Sequence, residues 1–315
     1  YEFDGVGARA VARGGAVIAD SGDWTAIYWN PAGLAAAGKR EGGIELRAGR
    51  MSVKDGNSFN VPTPAGVAHP FDKDRNTSGF IIGSMGAAVP LDADSAIGAG
   101  VYSPLLQGTD FSDTAPGSAV ATSLDYKSYV ITGVANVSYA RRLTERLYAG
   151  LGVNAMYANL NSKSTIDWGA GMSPLVGVSQ HNESSAEGYG IEGVAGLTYR
   201  LGERWTAGAV FRSGASIPLK GDETVELNGA FYQSSDFEYK VHHPMTSGVG
   251  LAWQARKDLK ITCDVAQAWW KTYTSALTYD QPGGLLASRG NSYHWFNSVK
   301  FRLGALKRRN EKTEV

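Results

Sequence analysis

In the run SYVITGVANVSYA, Tyr129, Ile131, Gly133, Ala135, Val137 and Tyr139 fall on one face of an extended chain, and Thr132, Asn136 and Ser138 on the other. The run EGYGIEGVAGLTYR repeats the arrangement with Tyr189, Ile191, Gly193, Ala195, Leu197 and Tyr199. Each apolar face is bracketed by tyrosines ten residues apart. At roughly 3.3 Å per residue and a tilt of about 40°, ten residues climb about 25 Å, the height of the apolar band between the aromatic girdles of a membrane barrel. A soluble barrel accounts for the alternation but not for the repeated spacing.

Ten such segments follow one another, near residues 42–53, 79–90, 95–104, 127–140, 146–158, 187–200, 203–213, 241–254, 258–271 and 293–306. The connections alternate in length. PLDAD, RRLTE, LGE and ARKD are tight and charged, whereas 54–78, 105–126, 159–186, 214–240 and 272–292 read as long loops. An outer membrane barrel sorts its connections this way, with short turns in the periplasm and long loops outside. With 40 glycines, 15 tyrosines and 8 tryptophans but only 19% charged residues, the chain suits tightly paired strands with aromatic bands. No window approaches 18 consecutive apolar residues, which excludes a helical membrane protein. The net charge is zero and the only charge block is the terminal KRRNEKTE, so neither nucleic acid nor polybasic membrane attachment is implied. The single Cys263 cannot form an internal disulfide.

Carrying the phase through the other strands assigns their side chains. Trp205, Ala207, Ala209 and Phe211 face lipid, with Thr206, Gly208 and Arg212 inside; Trp295, Val299, Phe301 and Leu303 face lipid, with Ser298, Lys300 and Arg302 inside. Glu45, Arg47, Glu192 and Asp264 point inward as well, because a charge at the lipid-facing midplane costs about 2–4 kcal/mol. Two readings of these charges stand side by side. They pair with one another in a lumen network, or Arg47, Arg212 or Lys300 receives an anionic headgroup.

Residues 1–41 lack the two-residue period and carry helix punctuation instead. Ser21 or Asp20 can cap a short helix through DWTAIYW, Asn30 can cap a second that starts at Pro31, and Gly38 can end it. Neither helix survives alone. Trp24, Ile27, Tyr28, Trp29 and Leu34 therefore need a surface to bury against, and the barrel interior is the only large one available. The expected organisation is a hatch over 1–41 and a barrel over 42–315.

The run GARAVARGGAVIADSGDWTAIYWNPAGLAAAG resembles the N-terminal hatch of the FadL family of outer membrane transporters for long-chain fatty acids and aromatic hydrocarbons, down to Asn30, Pro31 and Ala32. SAIGAGVYSPLLQGTDF is similar to that family's third strand, where a kink opens the wall sideways, and the likeness runs on through FRLGA at 301–305. The resemblance implies an all-β, antiparallel transmembrane barrel with a small helical hatch in its lumen, in the outer membrane of a Gram-negative bacterium. It implies passive transport of a hydrophobic small molecule without any cofactor. Capture by an apolar extracellular groove, an inner site touching the N-terminal residues Tyr1 and Phe3 and the hatch residues Trp24, Asn30, Pro31 and Ala32, and lateral release follow from it. Outer membrane lipid is the expected surrounding partner, and a monomer is expected. Pro104 ties the exit to physics: it lacks an N–H, so strand three should deform there. The plain alternative is that Pro104 only ends a strand. The family has fourteen strands where ten are countable here, so either the sequence is a fragment or frame-altered near its end, or it closes a smaller barrel.

Other functions find little support. His69, His181, His242, His243 and His294 lie in or near loops with no nucleophile in a recognisable context, so no enzyme is expected. His242 and His243 should point to opposite faces, against a shared metal site. A scaffold barrel, such as a secretion-system subunit, is the competing reading, and a hatch is the feature it needs least.

Overall fold

The alternating segments become one wall. The computed structural model describes residues 5–52, 61–63, 66–68, 77–114, 121–171, 174–271, 273–292, 295–310 and 313–314, so Tyr1, Phe3, His69 and His294 lie outside the described residues. Three short helices come first: α1 (Ala8–Ala12), α2 (Ala26–Trp29) and α3 (Gly33–Ala37). The strands follow as β1 (Glu41–Ser52), β2 (Val61–Thr63), β3 (Gly66–Ala68), β4 (Thr77–Pro90), β5 (Ser95–Thr114), β6 (Ala121–Arg142), β7 (Leu147–Trp168) and β8 (Ser179–Arg200). Beyond them come β9 (Trp205–Arg212), β10 (Ala215–Leu227), β11 (Ala230–His243), β12 (Thr246–Arg256), β13 (Leu259–Ala268), β14 (Thr274–Tyr279), β15 (Arg289–Ser292), β16 (Ser298–Asn310) and β17 (Thr313–Glu314). The wall path runs β1-β4-β5-β6-β7-β8-β9-β12-β13-β16-β17, and its pairings are antiparallel. No helix among the described residues is long and apolar enough to cross a membrane.

Burial is inside-out relative to a water-soluble protein. Ile44 and Leu46 are 78% exposed and Phe301 79%, whereas Glu192 is 1% and Asp264 2% exposed. The phase read from the sequence holds, with Tyr129, Ile131, Val137 and Tyr139 outside and Thr132, Asn136 and Ser138 inside. The girdles take shape between strands: Tyr157 packs on Tyr189 at 5.2 Å, and Trp205 stacks on Trp253 at 5.4 Å near the short-turn end.

The long loops expected outside are mostly strand. β6, β7 and β8 run 22 residues each, roughly 55 Å along the membrane normal, about twice the apolar band. β10, β11, β14 and β15 form a further extension, β10 pairing with the outer half of β8. Above the membrane neither face need be apolar, so stretches such as NLNSKSTIDW carry no alternation and still complete their ladder with neighbours. The extension has a dry core of Ala186, Leu219, Val225, Phe237, Tyr279 and Leu286. Burial there, with Glu223 accepting from the phenol, pushes the Tyr279 hydroxyl above the usual tyrosine range.

The expected kink is real. Ser103 and Pro104 stand opposite the single residue Gly133, between the pairs Tyr102 with Val134 and Leu105 with Thr132. At the same level β4 and β5 part company, their ladder ending at Ser84 with Tyr102. Beyond it β4 stays with β1 as far as Thr77, and β5 stays with β6 as far as Thr114. Val134 is midway between Tyr129 and Tyr139, so the wall splits from mid-membrane outward. Pro104 therefore does more than end a strand.

The hatch helices start differently from expectation, and α1 was not expected at all. Asp20 pairs with Arg13 at 2.9 Å and Lys260 at 2.7 Å, and Ser21 donates to the Asn30 carbonyl at 3.1 Å, so neither caps a helix. Asp23 instead holds the Thr25 N–H at 2.9 Å ahead of α2, and Asn30 accepts from the Ala32 N–H at 3.1 Å ahead of α3. Gly38 ends α3 at φ 59°, the left-handed position foreseen for it.

Candidate functional site

The hatch sits on glycines. At many points where the hatch meets the wall, the strand presents a residue without Cβ: Ile27 and Leu34 lie over Gly98, Pro31 and Ala32 over Gly150, Asn30 over Gly196, and Trp24 over Gly43 and Gly86. A Cβ at Gly196 would stand 2.0 Å from Asn30 Oδ1, and one at Gly150 would stand 2.4 Å from the Pro31 carbonyl carbon. These glycines let backbones approach closely, a reason glycine recurs inside strands despite its cost there.

Polar groups then fasten the seat. The Asn30 carboxamide, fully buried, donates to the carbonyls of Ile18 at 2.8 Å and Leu197 at 3.0 Å and to Thr198 Oγ1 at 3.3 Å. Glu45 accepts the Gly7 N–H at 2.7 Å, and Asp264 accepts the Ile18 N–H at 2.9 Å. Arg302 lies over the Trp29 ring at 5.6 Å. Asn30, Pro31, Ala32 and Trp24 are thus joined to the wall, with Trp24 only 7% exposed.

At the centre is a buried network. Glu192 accepts from Asn154 Nδ2 at 2.6 Å and Arg212 Nη1 at 3.2 Å, and contacts His243 Nδ1 at 2.8 Å. Arg212 also donates to the Tyr28 carbonyl and lies 4.7 Å over the Tyr28 ring. Tyr102, beside the kink, donates to Asn154 Oδ1 at 3.1 Å and meets Tyr28 edge-on at 5.3 Å. The wall break and the hatch therefore share one polar core. Arg212→Met leaves Glu192 buried with half its compensation, and about 3 kcal/mol of lost stability is expected in urea unfolding from lipid vesicles. Arg212→Met with Glu192→Gln should recover most of that loss, since no charge is then stranded.

The two readings of the lumen charges divide by residue. Arg47 pairs with Glu45 at 3.1 Å and Arg212 with Glu192, as a mutual network requires. Lys300 has no hydrogen bond or ion pair among the described residues. It borders a cavity of about 70 Å³ between hatch and wall with Tyr28, Trp29, Val210, Arg212 and Arg302. That space admits a small polar headgroup beside a ring, not a long tail. A second, smaller void of about 10 Å³ lies at the foot of the split, among Gly5, Val6, Glu45, Arg47, Ser84 and Ser103.

The molecule thus combines a barrel with an apolar exterior, a seated helical hatch and a third wall strand broken at a proline. The outer membrane protein transport protein family, OMPP1/FadL/TodX, matches residues 2–312. The chain belongs to that family. Its members are outer membrane proteins, in keeping with the exposed apolar band. The long-chain fatty acid transport protein of Escherichia coli K12 is 26% identical over 253 residues, covering 66% of this chain and 56% of the relative. This chain therefore spans little more than half the length of that relative. Among solved structures, the Ralstonia pickettii toluene transporter TbuX superposes with a TM-score of 0.72 at 20% identity, over 98% of this chain and 84% of that one. The Pseudomonas aeruginosa FadL homologue gives 0.70 at 14% identity, over 99% and 78%. These likenesses fix the fold.

Glu192, Asp264 and Arg302 face inward as the two-residue period requires, but that period does not name their partners, and Tyr102, Asn154 and His243 carry no motif that marks them as site residues. The register supplies what was lacking: Asp264 stands opposite Arg302, and Asn154 opposite Glu192. The inward phase of Asn154 was readable once β7 was in hand. The approach of His243 to Glu192 had no signal, because it depends on a strand leaving the wall.

Proposed function

We propose that the protein is a passive outer membrane channel for hydrophobic small molecules, organised as an N-terminal hatch and a surrounding barrel. The observation that carries the reading is the split between β4 and β5, which starts at mid-membrane beside a lumen filled by the hatch. A ligand leaving through it passes from protein to lipid without rehydration. For a sixteen-carbon tail, at about 0.8 kcal/mol per methylene, this avoids a cost on the order of 12 kcal/mol. Driving force comes from the substrate gradient and apolar burial. A scaffold barrel has no use for a hatch seated on glycines or for a split wall.

Within this reading Lys300, which has no hydrogen bond or ion pair among the described residues, favours a carboxylate-bearing ligand, with its headgroup in the cavity beside Trp29 and Arg302. The test is uptake of palmitate and of toluene by a strain lacking its own transporter, with wild type and Lys300→Met. The expected result is a fall of about 10- to 100-fold for palmitate, the worth of one charge-assisted hydrogen bond, and no change for toluene. Equal losses, or none, would remove the headgroup site; no uptake of either compound by wild type would remove the channel.

A further inference from the structure

The outer surface of the wall carries lysines just above the membrane band. Lys127 on β6, Lys163 on β7, Lys220 on β10 and Lys240 on β11 are each more than half exposed. Lys220 stands opposite Glu187 on one side and Glu238 on the other, an ordinary alternation of charge. Lys127 and Lys163 break that rule. They face each other across β6 and β7, where like charges directly opposed are unfavourable. Acids flank the pair only on its far sides, Asp110 at 3.6 Å from Lys127 and Glu183 at 2.6 Å from Lys163. An ammonium has three donors, and a contact of 3.6 Å is too long for a hydrogen bond. Among the described residues, donors of both lysines therefore remain for a group lying between them.

Height specifies what that group is. Lys127 lies two residues outward of the girdle residue Tyr129, about 5 Å higher for a strand rising roughly 3.3 Å per residue at a tilt of about 40°. Girdle tyrosines mark the level of the lipid headgroups, so the long lysine stems set both ammonium groups among them. In the outer leaflet of an outer membrane those headgroups are phosphorylated sugars. The wall below suits the rest of such a lipid. Asn161 stands between Tyr129 on β6 and Ser185 on β8, a carboxamide beside two hydroxyls at the level of a sugar. Lower down, a Cβ on Gly133 would meet nothing within 4 Å, and Ala135 faces Ala155. The lipid face is shallow there, with Tyr157 beside Gly133, and leaves room for an acyl chain.

We propose that Lys127 and Lys163 form a clamp for the phosphate of an outer-leaflet glycolipid, with an acyl chain of that lipid running down past Gly133. An anion between the two ammonium groups turns an unfavourable pair into a two-point, charge-assisted contact. Asp110 and Glu183 hold the lysines from their far sides and leave the space between them clear. A lipid seated there braces β6 and β7, each 22 residues long, at the level where they leave the bilayer. The site is on the outside of the wall and does not depend on what the lumen carries, so it stands or falls apart from the channel reading.

The experiment titrates the full chain in detergent with bisphosphorylated lipid A and reads lipid-bound protein by native mass spectrometry. Lys127→Gln and, independently, Lys163→Gln should each weaken binding about tenfold, and the two together about a hundredfold, one charge-assisted hydrogen bond being lost at each step. Lys127→Arg should stay within about threefold of wild type, because a guanidinium also grips phosphate. Lys257→Gln, the same change of charge in the short turn between β12 and β13, should leave binding unchanged. Both substituted lysines are exposed, and heat-modifiable migration confirms that each variant has folded. Lipid A stripped of its phosphates should bind wild type as weakly as the intact lipid binds the double variant. Equal binding of the two lipids by wild type, or wild-type affinity in the double variant, overturns the clamp. Inorganic phosphate that displaces the lipid at equal concentration overturns it as well, since the site would then take a free anion.

Discussion

Deletion of Pro104 is expected to bring uptake of both palmitate and toluene to background while the barrel still folds. Ser103 and Pro104 together occupy the place of one residue opposite Gly133, so removing one restores an unbroken register between β5 and β6. Facing is preserved as well. Tyr102 points inward opposite Val134, and the register sets Leu105 against Thr132, two residues along β6, so the deletion keeps the two-residue phase of the β5 backbone. The deletion also removes the residue that cannot donate, leaving β5 free to continue its ladder with β4 past Ser84 toward Thr77. Each regained pair adds hydrogen bonds to groups that the membrane would otherwise leave unsatisfied, so closure is favoured. Barrel integrity is checked by retained heat-modifiable migration on a gel. Uptake that persists in a folded deletion variant would mean that ligand leaves by another route.

Much of this architecture was legible because the bilayer imposes a two-residue period on every spanning strand. Ten of the eleven strands on the wall path, all but the two-residue β17, answer to that period, and it puts Glu192, Asp264, Arg212 and Lys300 on the lumen face. The constraint ends at the girdle. β10, β11, β14 and β15 lie where either face can be wet, and their ladders were read as loops. The stretch 241–254 was read as one strand because its alternation passes smoothly across Pro244, whereas the chain breaks there into β11 and β12. Hatch caps failed for a related reason. Asp20 and Ser21 are good cap residues in isolation, but other partners claim both side chains: Lys260 on the wall takes Asp20, and the Asn30 carbonyl within the hatch takes Ser21. Which charges pair and which stay available depends on register, so Lys300 and Arg212 looked alike in sequence and differ in the fold.

A barrel carrying Gly196→Val should keep its wall and lose its seated hatch. Valine suits a strand, and the ladder of Gly196 with Gly150 and Val210 uses backbone groups that the substitution leaves in place. The new side chain instead enters the space of the Asn30 carboxamide, whose Oδ1 would stand 2.0 Å from the added Cβ and whose neighbour Pro31 Cδ would stand 2.9 Å away. Displacement forfeits the bonds from Asn30 to Leu197 and Thr198, each worth about 1 kcal/mol, and overpacking adds about 1–3 kcal/mol. A total of roughly 3–5 kcal/mol lowers the ratio of seated to unseated hatch by about two to three and a half orders of magnitude. Trypsin reads that ratio, because Arg13 is 3% exposed when the hatch is seated and cleavage after it tracks the open population. Digestion at Arg13 should therefore accelerate by about two to three and a half orders of magnitude. Gly133→Val is the matched control, since nothing lies within 4 Å of a Cβ added there. It should digest as wild type does; equal digestion of the Gly196 and Gly133 variants would show that the glycine seat does not hold the hatch.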